Sequence, residues 1–222
     1  MSIQIAIDGP AGAGKSTIAK RLARELGYIY VDTGAMYRAI GLYLLRKGIS
    51  GDEKDRIGEE CGGADVSIEY IDGVQIVMLN GEDVNDLIRT EEVGNMASAA
   101  SAHPKVRAQL LDLQRWLAST NNVVMDGRDI GTTILPFATV KVFLTASSKV
   151  RAERRYKELV EKGEQPDLEK IEADIIERDH RDMTREVSPL KQAEDAVLVD
   201  SSDMTIDEVV LRIKEIAGEK MQ

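Results

Sequence analysis

Residues 3–17 read Ile-Gln-Ile-Ala-Ile-Asp-Gly-Pro-Ala-Gly-Ala-Gly-Lys-Ser-Thr, and no other stretch constrains the chain as much. A short apolar run suited to a buried strand leads into a glycine-rich loop, and a helical pattern begins at Ser16. The loop residues Gly9, Pro10, Ala11, Gly12, Ala13, Gly14, Lys15, Ser16 and Thr17 match G-x-x-x-x-G-K-[ST] in the strand, loop, helix context that gives the pattern its meaning. Glycines let the backbone curl until successive N–H groups point inward, and the helix that follows adds the positive end of its dipole. Such a cradle holds nucleoside triphosphate: Lys15 reaches the β and γ phosphates, and Ser16 offers its hydroxyl to Mg2+. The dinucleotide fingerprint does not fit, because Gly12-Ala13-Gly14 runs into Lys-Ser-Thr before a third Gly or Ala is reached.

The rest of the chain reads as α/β. Apolar runs at 3–8, 28–32, 122–126, 140–144 and 196–200 have the length and the near-continuous Val/Ile/Leu content of parallel strands buried on both faces, and four of them end in Asp. Amphipathic helical segments lie between them at 16–26, 36–47, 104–118, 148–161 and 206–217. Two segments break the rhythm. Val66, Ile68 and Tyr70 alternate with polar neighbours, Asp72-Gly73 supplies a tight turn, and a second apolar run from Val74 meets another turn at Asn80-Gly81, which predicts a small antiparallel insert. Residues 151–185 are highly charged, contain Gly163 and Pro166, and read as two mobile helices over a site.

With 29 Lys+Arg against 39 Asp+Glu, the net charge of −10 disfavours nucleic acid as a partner. No run reaches the ~20 apolar residues that span a bilayer, and the first residues lack the features of a signal peptide. A single cysteine, Cys61, rules out an internal disulfide framework and points to a reducing cytoplasm.

What accepts the phosphoryl group must be read elsewhere. Asp32-Thr33-Gly34-Ala35-Met36-Tyr37-Arg38 follows the second strand and opens a helix, which puts Arg38 near the carboxyl edge of the sheet. Asp126-Gly127-Arg128-Asp129-Ile130-Gly131-Thr132 follows the third strand at the same edge. Asp126 can approach a hydrated Mg2+, and Arg128 and Asp129 can face a substrate. In a helix, Arg178, Asp182 and Arg185 share one face at i, i+4 and i+7, and Arg151, Arg154 and Arg155 form a second basic cluster. One salt-bridged helix face would explain one cluster; several around one edge of an acidic chain point to a multiply charged anion. His103 and His180 have no Ser or Cys partner in a recognisable motif and read as structural or exposed. No strong base is needed where the nucleophile is itself a phosphate, which is largely ionised at neutral pH.

These motifs, together with 95–107, 177–185 and Ser188-Pro189-Leu190, resemble the bacterial cytidylate kinase family over essentially the whole chain. The resemblance implies a P-loop NTPase fold: a five-stranded parallel sheet flanked by helices, an antiparallel β insert in the domain that binds the nucleoside monophosphate, and a helical lid. Core segments would be 1–35, 98–150 and 188–222, the monophosphate-binding domain 36–97, and the lid 151–187. The implied substrates are ATP and CMP or dCMP, with Mg2+ as cofactor and a monomeric state. Thr33, Arg107, Asp126, Arg128 and Asp129 would surround the cytosine, with Asp129 accepting from its amino group. Ser98, Arg178 and Asp182 would approach the sugar, Arg38, Arg128 and Arg185 the acceptor phosphate, and Lys15 the phosphoryl group in transit, with Arg155 assisting.

Other acceptors, UMP, AMP or shikimate, are the nearest alternatives. A GTP-binding switch would need Asn-Lys-x-Asp, and the chain contains no Asn-Lys pair. A nucleic-acid-remodelling ATPase is disfavoured by the net charge and by the lack of a larger motor module.

Overall fold

A computed structural model describes residues 2–221. Its elements in chain order are β1 (Gln4–Asp8), α1 (Lys15–Leu26), β2 (Ile29–Asp32), α2 (Thr33–Arg46), α3 (Lys54–Glu60), β3 (Val66–Ile71), β4 (Val74–Leu79), β5 (Glu82–Asp83), α4 (Glu91–Ala100), α5 (Pro104–Thr120), β6 (Val123–Gly127), β7 (Val140–Thr145), α6 (Ser148–Glu161), α7 (Leu168–Thr184), β8 (Val197–Asp200) and α8 (Ile206–Lys220). Five strands form a parallel sheet in the order β2-β6-β1-β7-β8. The five apolar runs predicted from sequence are these strands.

Both faces of the sheet are buried, which is why the strands read as unbroken apolar runs. On one face Ile5, Ile7, Val124, Val142 and Leu144 pack with Ile18 and Leu22 of α1 and Val210 and Ile213 of α8. On the other, Ala6, Val31, Val123 and Met125 pack with Met36, Ile40 and Leu44 of α2 and Leu110 of α5. Register places Asp32 beside Asp126 and Asp8 beside Gly127, so acidic side chains gather at the carboxyl edge of the central strands.

The insert is antiparallel as expected, with Ile71 opposite Val74 and Leu79 opposite Glu82 across the two turns. Positive φ at Asp72, Gly73, Asn80 and Gly81 gives both turns the twist that suits a two-residue hairpin. Beyond the second turn a short third strand, β5, pairs with β4. The insert docks on β2, the sheet's edge: the Gln75 side chain accepts from Asp32 N at 2.8 Å and donates to Asp32 O at 3.3 Å, and Tyr70 Oη donates to Tyr30 O at 3.0 Å. An edge strand that would present bare N–H and C=O groups is thereby covered.

The expected breaks at 35/36 and 97/98 lie inside the continuous helices α2 and α4. His103 caps α5, its Nδ1 accepting from Lys105 N, and His180 is exposed. Cys61 is free and buried. Among the described residues no helix is long and apolar enough to cross a membrane.

Two glycines separate conformational strain from steric exclusion. Gly27 ends α1 at φ +67 with open space around it, whereas a Cβ on Gly9, at φ +152, would stand 1.9 Å from the Leu144 carbonyl oxygen of β7. Gly27→Ala is expected to cost roughly 1–2 kcal/mol, a few degrees in Tm. Gly9→Ala must push two central strands apart and is expected to lower Tm by more than ~10 °C or abolish soluble protein. Thermal denaturation of the two variants side by side checks the contrast.

Candidate active site

The loop between β1 and α1 opens onto a cavity of about 680 Å3. Gly14 at φ +87 starts α1, and Lys15, its first residue, is buried and donates to Pro10 O at 2.6 Å. Burial, with the nearby Arg128, holds the Lys15 ammonium well below its ordinary pKa, Asp126 and Asp8 pulling the other way. A phosphate arriving beside it would supply the missing counter-charge.

Asp126, the next-to-last residue of β6, is fixed on both oxygens: Tyr30 Oη donates to Oδ1 at 2.7 Å and Ser16 Oγ to Oδ2 at 3.0 Å. Its pKa is raised, first by burial and then by Asp32. One hydroxyl and one carboxylate on adjoining elements fit Mg2+, a hard cation that takes few protein oxygens and keeps water and phosphate in its other positions. They do not form a complete cage: no cluster of three or more His, Cys, Asp or Glu side chains is found among the described residues.

Opposite the loop stand the acceptor-side residues predicted from sequence. Thr33, Arg38, Ser98, Arg107, Asp126, Arg128, Asp129, Arg178, Asp182 and Arg185 all line the same cavity as Lys15 and Ser16. Thr33 Oγ1 donates to Asp126 O at 2.7 Å. Arg38 is held through Nη1 by Ile88 O at 2.9 Å and Thr90 O at 3.1 Å. Arg128 Nε donates to Asp182 Oδ2 at 2.9 Å. Arg107 packs over the Tyr37 ring, donates to Ser101 O at 3.3 Å and pairs with Asp129 Oδ2, while Arg185 Nη2 lies 3.6 Å from Asp129 Oδ1.

Burial sets most of the electrostatics. It raises Asp129 even though Arg107 and Arg185 pull against it, lowers Arg185, and lowers Arg178 to about 10 with help from Arg128. At Asp182 burial pushes upward, but Arg128 outweighs it and the net shift is down. Arg178 Nε and Arg185 Nη2 are buried and find no hydrogen-bond partner among the described residues. Crowded, desolvated guanidinium groups with spare donors are what a phosphate oxygen satisfies.

Four expectations need amendment. Arg155 is exposed on α6, pairs with Glu158 at 3.2 Å and does not line the cavity, although its charge helps depress Arg38. Arg185 does not continue the Arg178 and Asp182 helix face: α7 ends at Thr184, and Arg185 reaches the site from extended backbone at ψ 141. Arg151 is buried structure, donating to Ala146 O, Ala11 O and Asp179. Pro10 and Gly9 support the loop from outside the cavity lining.

The structure also brings in Arg89, which the sequence does not single out, and gives Arg154 of the second basic cluster a place in the cavity. Arg89 lines the cavity and pairs with Asp32 at 3.1 Å, and its charge contributes to lowering Arg38. Arg154, tied to Ser201 O at 2.7 Å, forms a wall with Met204, Thr205, Ile206 and Val209 next to Thr17 and Ile18. Neither belongs to a motif; only the fold brings them in. Asp8 sits behind the site, accepting from Ile130 N and Gly131 N at 2.7 Å each, and burial raises its pKa to about 6.

A phosphate-binding loop on a parallel sheet, joined by one cavity to an arginine-rich acceptor side, defines a phosphotransferase of the P-loop kinase class. The family model for cytidylate kinase matches residues 5–219, and the chain belongs to the cytidylate kinase family. It is 50% identical over 214 residues to the cytidylate kinase of Caldicellulosiruptor saccharolyticus, covering 96% of this chain and 95% of that protein. It is 47% identical over 218 residues to that of Carboxydothermus hydrogenoformans, covering 98% of each. Among solved structures, a gluconokinase from Sinorhizobium meliloti aligns at TM-score 0.51 and 16% identity, over 98% of this chain and 92% of that one. A shikimate kinase from Acinetobacter baumannii in complex with shikimate aligns at TM-score 0.50 and 17% identity, over 100% and 97%. These two show the shared fold.

Two predictions test this geometry. A Cβ on Gly94 would stand 2.8 Å from Arg38 Nη2, the movable end of a side chain, so Gly94→Ala should leave the fold intact and displace the guanidinium. Steady-state kinetics should show KM for the acceptor raised roughly tenfold and KM for ATP unchanged. The second concerns Asp8. Its folded pKa of about 6 exceeds the ordinary 3.8, so the folded state holds the proton more tightly. This group's contribution to stability is full at low pH and falls as pH rises through 6. A displacement of this size corresponds to about 3 kcal/mol. The Tm difference, Asp8→Asn minus wild type, should rise by several degrees between pH 4 and pH 7; a flat difference contradicts it.

Proposed function

We propose that the protein transfers the γ-phosphoryl group of ATP to CMP or dCMP, giving ADP and CDP or dCDP. The observation that carries this reading is the continuity of one cavity from Lys15 and Ser16 to Asp129 and its arginines. A donor phosphate at the loop and an acceptor phosphate among the guanidinium groups then face each other without intervening protein.

The attacking oxygen belongs to the acceptor phosphate and is already ionised, so catalysis consists of alignment and charge neutralisation. Loop amides hold the triphosphate, and Lys15 shadows the phosphoryl group as it moves. Arg38, Arg128 and Arg185 hold the acceptor phosphate, with Arg89 beside them. Ser98, Arg178 and Asp182 face the sugar. The wall of Arg154, Met204, Thr205, Ile206 and Val209 accommodates the base of ATP. Residues 36–97 form the acceptor side and 151–187 a lid, whose movement would bring Arg155 inward. Ser16, and Asp126 through water, would hold Mg2+. Bound together with ATP, the ion would offset the negative charge of the phosphates.

Base choice rests on Asp129. Cytosine presents an amino donor where uracil presents a carbonyl acceptor, so a carboxylate there attracts one and repels the other. A coupled assay of ADP release over CMP, dCMP, UMP and AMP should give kcat/KM for CMP or dCMP roughly tenfold or more above UMP. A tenfold preference for UMP would remove the assignment. Asp129→Asn should narrow the CMP to UMP ratio by about tenfold, and Lys15→Ala should lower kcat by about two orders of magnitude without loss of fold.

A further inference from the structure

We propose that Asp8 is a positioning residue for base selection: its buried carboxylate fixes the peptides that follow Asp129 and thereby sets how Asp129 meets the acceptor's base. This rests on the reading of Asp129 as the cytosine contact.

Asp8 is the last residue of β1 and is 4% exposed. Oδ1 accepts from Ile130 N and Oδ2 from Gly131 N, both at 2.7 Å, so each oxygen is committed to one amide. These amides open the π-helical turn Ile130–Ile134, whose far end closes on Asp129 O through Thr133 N at 2.9 Å and Ile134 N at 3.2 Å. The first N–H groups of a helical turn have no partner within it. Here that partner comes from across the sheet, 122 residues away in sequence. Asp129, immediately before them, has φ −146 and ψ 30 and no side-chain cap of its own.

Helix capping alone would not need a charge. Asparagine, serine or threonine caps a helix, and a buried carboxylate without a hydrogen-bonded cation is costly. A carboxylate differs in offering two acceptors on one rigid plane. Two fixed N–H vectors on successive peptides leave the turn no freedom to rotate about its entry. Arg107 and Arg185 hold the Asp129 side chain from the cavity side, and Asp8 holds its backbone from the core side. The same residue continues into Gly9 of the phosphate loop, which ties the donor loop and the base-reading turn to one peptide. The loop's own contacts, such as Lys15 to Pro10 O, do not involve the Asp8 carboxylate, so its loss should be felt on the acceptor side.

The experiment is acceptor selectivity in Asp8→Asn and Gly131→Ala enzymes beside wild type. In Asp8→Asn the amide group turns a donor toward one of the two N–H groups. In Gly131→Ala the carboxylate stays, but the new Cβ lies 3.3 Å from Asp8 Oδ2 and 3.1 Å from Lys141 Cδ, which pushes the amide off its partner. The ratio of kcat/KM for CMP to that for UMP should fall roughly fivefold or more in Asp8→Asn and in the same direction in Gly131→Ala, through KM for CMP, while KM for ATP stays within about twofold. If Asp8→Asn does not fold, Gly131→Ala decides. An unchanged ratio, or an equal loss toward CMP, UMP and ATP, overturns the proposal. A wild-type enzyme with no preference for CMP over UMP overturns the reading of Asp129 instead, before any variant is measured.

Discussion

Guanidinium groups held close together, most of them largely out of water, are the constraint around which this molecule is arranged. In a chain of net charge −10, Arg38, Arg89, Arg107, Arg128, Arg178 and Arg185 line one cavity. Left alone they would repel one another, and burial lowers the pKa of Arg38, Arg178 and Arg185. Carboxylates hold them in place: Asp32 for Arg89, Asp129 for Arg107 and Arg185, Asp182 for Arg128. Arg89 is half exposed, but the other pairs are largely buried, and buried ion pairs are weak sources of stability, since desolvation offsets most of their attraction. Their presence is better explained by what they prearrange, a pocket whose positive groups need no reorganisation when a phosphate arrives.

The sheet makes that arrangement possible. Parallel strands end at a common edge, and β1, β2 and β6 deliver Asp8, Asp32 and Asp126 there, while the segments that follow deliver Lys15, Arg38, Arg128 and Asp129. Three of them are fixed from behind by interactions outside the cavity lining: Tyr30 on Asp126, Ile88 and Thr90 carbonyls on Arg38, and Gln75 of the insert on the backbone of Asp32. The insert thus closes the sheet's edge and braces the residue that caps α2 and pairs with Arg89.

Local signals were enough for the scaffold and for part of the site. The phosphate loop, the five apolar runs and the Asp72-Gly73 turn are short-range patterns with direct physical meaning, and all three stand in the structure. Helices α3 and α4 were not legible: α3 spans only 7 residues, and α4 is rich in small residues whose faces are defined by packing on α2. Arg89 and the wall around Arg154 carry no motif, so only tertiary folding places them at the cavity. The i, i+4, i+7 spacing of Arg178, Asp182 and Arg185 suggested one helix face, but α7 ends before Arg185, which arrives from its own turn and bonds Ser188 O. Arg155 shows the opposite failing, since Arg154 beside it lines the cavity and it does not.

Phosphoryl transfer in this cavity requires the acceptor phosphate to lie among these arginines, in line with the phosphate loop. A crystal structure of the protein with CMP, Mg2+ and a non-hydrolysable ATP analogue tests this most directly. The predicted result has the CMP phosphate in contact with Arg38, Arg128 and Arg185 and the cytosine amino group against Asp129. A complex in which CMP binds elsewhere, with those arginines still paired only to Asp129, Asp182 and the carbonyls of Ile88 and Thr90, would contradict it.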